Sequence, residues 1–399
     1  MTPHHVDERP DFPGLDVLRA VGAIAVLTTH VAFQTGEYFR HGTLGVVLAR
    51  LDVGVALFFV LSGFLLSRPF WARAVLERPA PRMRTYATKR FWRIFPIYVV
   101  AAGVALAFVP GNEDRGVPEL LRSMTMLDTF VSRSLPYGLT QMWSLAVEVT
   151  FYVVLPLLMW FATGGGRGAL RRSTPVLVGL PAISAVWILW VAPALADERA
   201  WSPTLWLPGF LSWFAAGLWL AREHVLQQAG RATGLGRRVA ALGCQPGTCW
   251  VAASGLLLLT ATPIAGPISL EPGTPAEALV KNVCYTAIGL LVVAAGAWSS
   301  PTGVYHRVAS ARILRHVGHV SYAIFCLHLI VLAGLLEMVD YDIFTGDFPR
   351  IWAMTLFGTL VVSEIAYWLV ERPAIAFGRR SAVSIATQAA TAEHAASTR

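Results

Sequence analysis

Ten stretches of the chain are long and apolar enough to cross a hydrocarbon core about 30 Å thick. In a bilayer, every backbone polar group must be paired within the protein, so each stretch is expected to be a helix. The sequence therefore predicts an all-α fold, a polytopic membrane protein with about ten transmembrane helices. The predicted spans are residues 15–36, 45–67, 92–110, 138–163, 174–195, 204–221, 249–266, 276–298, 318–339 and 351–370.

Composition supports a membrane protein and argues against a nucleic-acid-binding one. The 399 residues are 55% hydrophobic and 14% charged, with a mean hydropathy of +0.56. A soluble chain usually carries about 25% charged residues. The net charge of +8 comes from basic residues in short loops between apolar runs, where membrane topology explains them. No nucleic-acid partner is therefore expected.

Basic residues divide unequally between the two sets of loops. The loops that share a side with the termini hold 21 Lys and Arg, and the alternate loops hold 6. By the positive-inside rule, both termini are expected on the cytoplasmic side of the plasma membrane. The polar N-terminus lacks a basic n-region, so no removable signal peptide is predicted. Residues 1–375 are predicted to form one transmembrane domain, and the small, polar segment 376–399 a disordered cytoplasmic tail.

Ionisable side chains within the predicted spans are the first functional candidates. Such groups are costly in lipid, so they usually face a helix-bundle interior or a wet cavity. The four cysteines have neither a disulfide framework nor metal-ligand spacing, and no metal site is predicted. The intramembrane candidates are Arg19, His30, Asp52, Glu148, Lys281, His328 and Glu364.

Arg19 and His30 share one face of the first predicted helix. Eleven residues make three turns, which places the side chains roughly 16 Å apart along the axis. His30 lies past the membrane midplane, at a depth that overlaps that of Glu148. A carboxylate beside a buried imidazole is the arrangement of a general base, with His30 as base and Glu148 orienting its ring. The alternative is a histidine satisfied by an interhelical hydrogen bond.

Arg90 and Arg93 are three residues apart, on one helix face, within the basic stretch "PRMRTYATKRFWRIFP". Guanidinium groups bind phosphate through charge-assisted, often bidentate hydrogen bonds. Together with Arg19, they suggest a site for a phosphorylated donor at the cytoplasmic mouth. The alternative is that these arginines only reflect the positive-inside bias.

Several smaller candidates accompany these residues. Ser62 lies beside Gly63 in a bulky helix, where small residues admit either another helix or a slender acyl or pantetheine chain. Trp143 and Ser144 precede Glu148, and Ser144 is interpreted as a helper hydroxyl because no G-x-S-x-G elbow surrounds it. His328 either lines the same cavity as His30 or bonds a neighbouring helix.

Six stretches, taken in order, resemble acyltransferase family three, a family of integral-membrane enzymes. They are "GLDVLRAVGAIAVLTTH", "LDVGVALFFVLSGFLLSRPF", "KRFWRIFPIYVV", "MWSLAVEVTFYVVLPLL", "SYAIFCLHL" and "WLVERPA". The resemblance implies a ten-helix enzyme that transfers an acyl group, commonly acetyl, from coenzyme A to a hydroxyl of a sugar or related acceptor. The family's motifs fall on Arg19 and His30, on Arg90 and Arg93, and on Trp143, Ser144 and Glu148.

The leading functional hypothesis is therefore a membrane O-acyltransferase, with acyl-CoA as donor and a carbohydrate, an envelope glycan or a glycosylated or macrolide metabolite as acceptor. Arg19, Arg90, Arg93 and Ser62 are predicted to hold the donor, while Trp143, Ser144 and His328 assist. Either His30 activates the acceptor directly or it forms a covalent acyl-histidine. A secondary transporter is the alternative, although no repeat relates the two halves. A non-catalytic scaffold is a third possibility.

The predicted topology can be tested with single cysteines in loops from the two sets. In a chain whose four cysteines are replaced by serine, Ala80→Cys should react with a membrane-impermeant maleimide only after cells are permeabilised. Asp342→Cys should react in intact cells, because its loop belongs to the basic-poor set. Gel-shift labelling measures both, and the reverse pattern would invert the orientation.

Overall fold

The computed structural model describes residues 12–132, 134–164, 169–196, 203–268 and 273–382. Within these ranges every regular element is a helix, so the all-α prediction is confirmed. Nine helices or helix runs in the described part are long and apolar enough to cross a membrane, and a bent helix pair brings the number to ten if it forms one span. The chain is a multi-pass membrane protein.

The helices that build the bundle carry the labels used below. They are α1 (Pro13–Gln34), α2 (Val53–Leu76), α3 (Met83–Phe108), α4 (Met142–Thr163), α5 (Ala169–Val186), α6 (Leu207–Gln228), α7 (Gly234–Gly243), α8 (Pro246–Thr260), α9 (Pro275–Trp298), α10 (Arg312–Met338) and α11 (Phe348–Ala366). Short helices lie at Glu37–Arg40, Gly42–Ala49, Val117–Met124, Asp128–Val131, Ala192–Ala196 and Val304–Ala309. Single 3₁₀ turns occur at Arg50–Asp52, Pro203–Leu205 and Pro263–Ala265, and π-helical turns follow α5 at Trp187–Val191 and α11 at Tyr367–Glu371.

The predicted seventh span, residues 249–266, is helical only as far as Thr260, where α8 ends, and a 3₁₀ turn at Pro263–Ala265 follows. Helix α7 precedes this span in the chain and meets α8 at an angle of 95°. Thr233 caps the start of α7 through its side chain, and Pro246 occupies the first turn of α8, where its missing N–H costs nothing. At 15 residues, α8 alone is shorter than the roughly 20 residues that cross a bilayer.

Other helix ends also differ from the predicted boundaries; α3, for example, begins at Met83 and not at residue 92. The helix that begins with α11 continues through its π-helical turn to Ala382, past the predicted domain end at residue 375. Residues 383–399 of the predicted tail lie outside the described residues. The second span begins earlier than expected, at Gly42, and is interrupted at Arg50–Asp52.

Helix packing relies on glycines where two backbones meet. Gly63 of α2 and Gly217 of α6 face each other, and a Cβ on Gly217 would lie 2.1 Å from the carbonyl oxygen of Val60. Gly63 thus serves helix packing, one of the two roles expected of this small-residue position. Within a membrane, where lipid is as apolar as side chains, such close approach supplies much of the attraction between helices.

We expect Gly217→Val to destabilise the protein by about 1–3 kcal/mol, because the added side chain must push α2 and α6 apart. The measurement is the midpoint of thermal unfolding in detergent. Gly179→Val in α5 is the matched control, because a Cβ there meets nothing within 4 Å. Equal shifts in the two variants would contradict the proposed backbone contact.

Candidate active site

Three arginines line one cavity in the bundle, which we call the arginine cavity. It lies between α1, α2, α3, α4 and α10 and holds about 780 Å³ of empty space, part of which is open to the outside. Arg19 comes from α1, while Arg90 and Arg93 come from α3. Apolar side chains such as Leu65 and Ile94 form much of the remaining wall. The cavity therefore combines three positively charged side chains with a partly apolar wall.

Neighbouring carboxylates and aromatic rings hold two of these guanidinium groups. Arg93 donates a hydrogen bond to Glu371, whose side chain is fully buried. The guanidinium carbon of Arg93 also lies 5.8 Å from the ring centre of Tyr322. Arg19 donates to Asp16 at 3.0 Å. These contacts restrict the side chains before any ligand arrives, which lowers the ordering cost of binding.

Glu148 lies in the arginine cavity rather than beside His30. Its carboxylate accepts hydrogen bonds from Ser62 and from the hydroxyl of Tyr152, the latter at 2.6 Å. The expectation that Glu148 orients His30 therefore needs correction. The two residues overlap in depth, but depth does not fix the direction in which each helix points its side chain.

His30 lines a second cavity, which we call the histidine cavity. It holds about 960 Å³ of empty space, part of which is open to the outside, and Tyr38, Asp52, Gln141 and Lys281 also face it. Its walls come from the last turns of α1, the turn before α2, the segment before α4 and the first turns of α9. This cavity lies toward the opposite end of α1 from the arginine cavity.

His328, and not Glu148, contacts the His30 ring. His328 is fully buried on α10, and its Nε2 lies 3.3 Å from Nδ1 of His30. Nδ1 of His30 lies 2.7 Å from the Val26 carbonyl, and Nδ1 of His328 lies 2.9 Å from the Phe325 carbonyl. Carbonyl oxygens only accept, so these contacts place the proton of each neutral ring on Nδ1. Nε2 of His30 is then left with a free lone pair.

A pair of phenylalanines separates the two cavities. Phe58 of α2 lines the arginine cavity, and Phe325 of α10 lines both cavities. Their rings meet edge to face, with centres 5.8 Å apart. The cavities thus adjoin at Phe325, close in the chain to His328.

The histidine cavity also contains a charged pair to which the sequence analysis assigned no role. The ammonium of Lys281 donates to the Asp52 carboxylate at 2.6 Å, and Tyr285 donates to the same carboxylate. Both charged residues were already candidates as intramembrane ionisable groups. Their pairing joins α9 to the turn before α2, two segments far apart in the chain.

Other residues that line the two cavities or contact their side chains were missed by the sequence analysis, although some signals existed. Tyr152 lies one turn after Glu148, and Glu371 is part of the stretch "WLVERPA". Gln141, whose amide donates to the Cys326 carbonyl at 3.2 Å, lies just before α4 and gave no signal.

The structure thus sorts the predicted site residues into groups. Ser144 is buried in the wall of the arginine cavity, and its hydroxyl donates to the Gln141 carbonyl at 3.1 Å. Trp143, the preceding residue, lines the histidine cavity. Glu364 belongs to neither cavity, because it bonds His316 at 2.9 Å on the outer side of α10 and α11. In the arginine cavity lie Arg19, Ser62, Arg90, Arg93, Ser144 and Glu148.

Comparisons with known proteins bear on the class of enzyme. The profile of a family described as an acyltransferase domain matches residues 12–368. The chain is 26% identical to the acyltransferase MdmB of Streptomyces mycarofaciens, across 96% of each chain. It is 24% identical to nodulation protein 10 of Rhizobium leguminosarum bv. viciae, over 90% of this chain and 92% of that one.

A third relative is the peptidoglycan O-acetyltransferase OatA of Listeria monocytogenes, which is 26% identical over 44% of this chain and 28% of its own length. No solved structure matches the chain. The comparisons favour the enzyme over the transporter and scaffold alternatives. With the family profile matched across nearly the whole bundle, the chain belongs to acyltransferase family three and is a membrane acyltransferase.

Proposed function

We propose that the protein is an acyl-CoA-dependent O-acyltransferase that binds its donor in the arginine cavity and its acceptor hydroxyl in the histidine cavity. One observation carries the proposal. The two cavities meet at Phe325, with three guanidinium groups on one side and His30 on the other. Acyl-CoA carries its phosphates at one end and its thioester at the other, joined by the pantetheine arm. Its phosphates would therefore lie at the arginines, and its thioester near His30.

The donor site follows from the chemistry of the arginine cavity. Arg19, Arg90 and Arg93 offer planar, permanently charged donors suited to phosphate oxygens. The apolar wall accommodates the pantetheine arm, with Ser62 on the cavity surface. By the basic-residue count, the arginine cavity lies toward the cytoplasm, where acyl-CoA is made.

The chemical step uses Nε2 of His30 as general base. It removes the proton from an acceptor hydroxyl, whose oxygen attacks the thioester carbonyl. The new C–O bond forms, the C–S bond breaks, and the departing thiolate takes the proton from the imidazolium. His328 is a positioning residue that, with Val26, fixes Nδ1 of His30. An acyl-histidine intermediate is the competing mechanism.

The acceptor is a hydroxyl of a carbohydrate, an envelope glycan or a glycosylated or macrolide metabolite. The relative named as a peptidoglycan O-acetyltransferase supports a glycan hydroxyl. The same relative is named as an acetyltransferase, which supports acetyl as the acyl group. The histidine cavity faces away from the cytoplasm in the proposed orientation, so acyl transfer occurs in the outer half of the membrane.

We expect His30→Ala to lower acyl transfer at least about 100-fold, because a positioned general base contributes about 10²–10⁴. The assay follows free thiol released from acetyl-CoA by purified protein and acylated product by mass spectrometry, with host extracts as acceptor. His41→Ala is the control, because this histidine is largely exposed near the end of α1.

Two results would contradict this proposal. One is wild-type activity in His30→Ala, and the other is acceptor flux in liposomes without any thiol release. Labelled acyl trapped on His30 in the absence of acceptor would instead replace direct attack by the acyl-histidine mechanism.

We expect Arg90→Ala to raise the KM for acetyl-CoA about ten- to a hundredfold, the effect of one lost charge-assisted hydrogen bond. Activity with S-acetylpantetheine, which lacks the phosphates, should change little. Arg84→Ala, an exposed position on the same helix, is the control. Steady-state kinetics with both donors is the measurement, and equal losses with the two donors would contradict phosphate binding.

A further inference from the structure

A third cavity, which we call the tryptophan groove, lies beside the histidine cavity. It lies between the π-helical turn after α5, α6 and α9, and holds about 1430 Å³ of empty space, part of which is open to the outside. Its floor is aromatic, since the ring centres of Phe210 and Trp213 lie 4.9 Å apart. Trp187 comes from the π-helical turn, and Leu205 adds apolar surface.

The tryptophan groove and the histidine cavity share a wall. Asp52, Val55, Trp143 and Lys281 line both. A molecule with a polar end at Asp52 and Lys281 would therefore reach His30 from the groove without crossing α1 or α4. The groove does not share lining residues with the arginine cavity.

Polarity is uneven along the groove. The Asp52–Lys281 ion pair lies at the end that meets the histidine cavity. Asn282, another polar residue of the lining, is already hydrogen-bonded to Ser212 and to the Gly209 carbonyl. Trp187 and its neighbours form the apolar part, and the rim at Thr204 and Ala278 is exposed.

We propose that the acceptor is amphipathic, with an apolar body in the tryptophan groove and the hydroxyl-bearing head at Asp52 and Lys281 beside His30. This proposal rests on the proposed function. A wholly polar glycan would leave the aromatic surface without a partner, and aromatic surface is where binding sites gain most of their affinity. A volume larger than that of the histidine cavity fits a body larger than the head.

Two kinds of molecule fit this amphipathic acceptor, a membrane lipid with a hydroxylated head or a soluble amphiphile. The experiment uses ¹⁴C-acetyl-CoA with the protein in proteoliposomes, supplied with butanol extracts of host membranes, butanol extracts of culture medium, or water-soluble and insoluble glycan. We expect the label to enter a butanol-soluble product. Its extract of origin then identifies the source.

Variants test the groove itself. Trp187→Ala should raise the KM for the butanol-soluble acceptor at least about tenfold, while the KM for acetyl-CoA stays constant. Trp190→Ala is the matched control, since Trp190 is 63% exposed on the same π-helical turn and does not line the groove.

Because the Trp187 ring also donates a hydrogen bond to the Pro203 carbonyl, a second variant is needed that leaves this contact in place. Ala278→Trp fills the groove without removing it, and should raise the same KM. Ala276→Trp on the same helix is its control.

The outcomes separate the two proposals. Label found only in water-soluble or insoluble glycan overturns the amphipathic acceptor and leaves acyl transfer standing. Variants that change the preference for octanoyl-CoA over acetyl-CoA, and not the acceptor KM, show that the groove holds the acyl chain instead. Absence of thiol release with every extract overturns the proposed function, and this inference with it.

Discussion

Close backbone packing around α1 is the constraint on which the rest of the structure depends. Gly54 of α2 approaches Gly22 so closely that a Cβ on Gly54 would lie 2.4 Å from the Gly22 carbonyl oxygen, and Gly318 of α10 stands in the same relation to Asp16. Lipid is as apolar as leucine, so α1 is held in the bundle by contact and not by the hydrophobic effect. Surrounded in this way, α1 presents Arg19 and His30 to cavities instead of lipid.

Charges inside the bundle are held by partners that also shape the cavities. Arg50 is buried and donates to the carbonyls of Thr260, Ala265 and Gly266, which ties the 3₁₀ turn before α2 to the end of α8 and the turn that follows it. Arg93 with Glu371 and Lys281 with Asp52 each join segments distant in sequence. Arg50 and Glu371 are buried, and a buried charge without a partner is strongly destabilising, so their contacts fix helix positions and side-chain directions. Preorganisation of this kind is what anion binding and catalysis require.

Helix α1 therefore contributes a functional side chain to each of two adjoining cavities. Arg19 marks the charged cavity, three turns separate it from His30, and the Phe58 and Phe325 rings lie where the two cavities meet. The histidine cavity shares a wall with the tryptophan groove. Under the proposed function, this arrangement gives a donor and an acceptor of different polarity separate approaches to His30.

The sequence by itself determined the helical membrane fold, nearly all of the spans and the shared face of Arg19 and His30, because hydropathy and the 3.6-residue period are local properties. The sequence also correctly predicted that Arg19, Arg90 and Arg93 lie near one another. Only the tertiary structure decided that Glu148 bonds Ser62 and Tyr152, that His328 contacts His30, and that α7 and α8 bend. Each of these depends on how helices rotate about their axes and pack against partners far along the chain. The position of a residue within a span gives its depth in the membrane, but not the direction in which its side chain points or the helix that it faces.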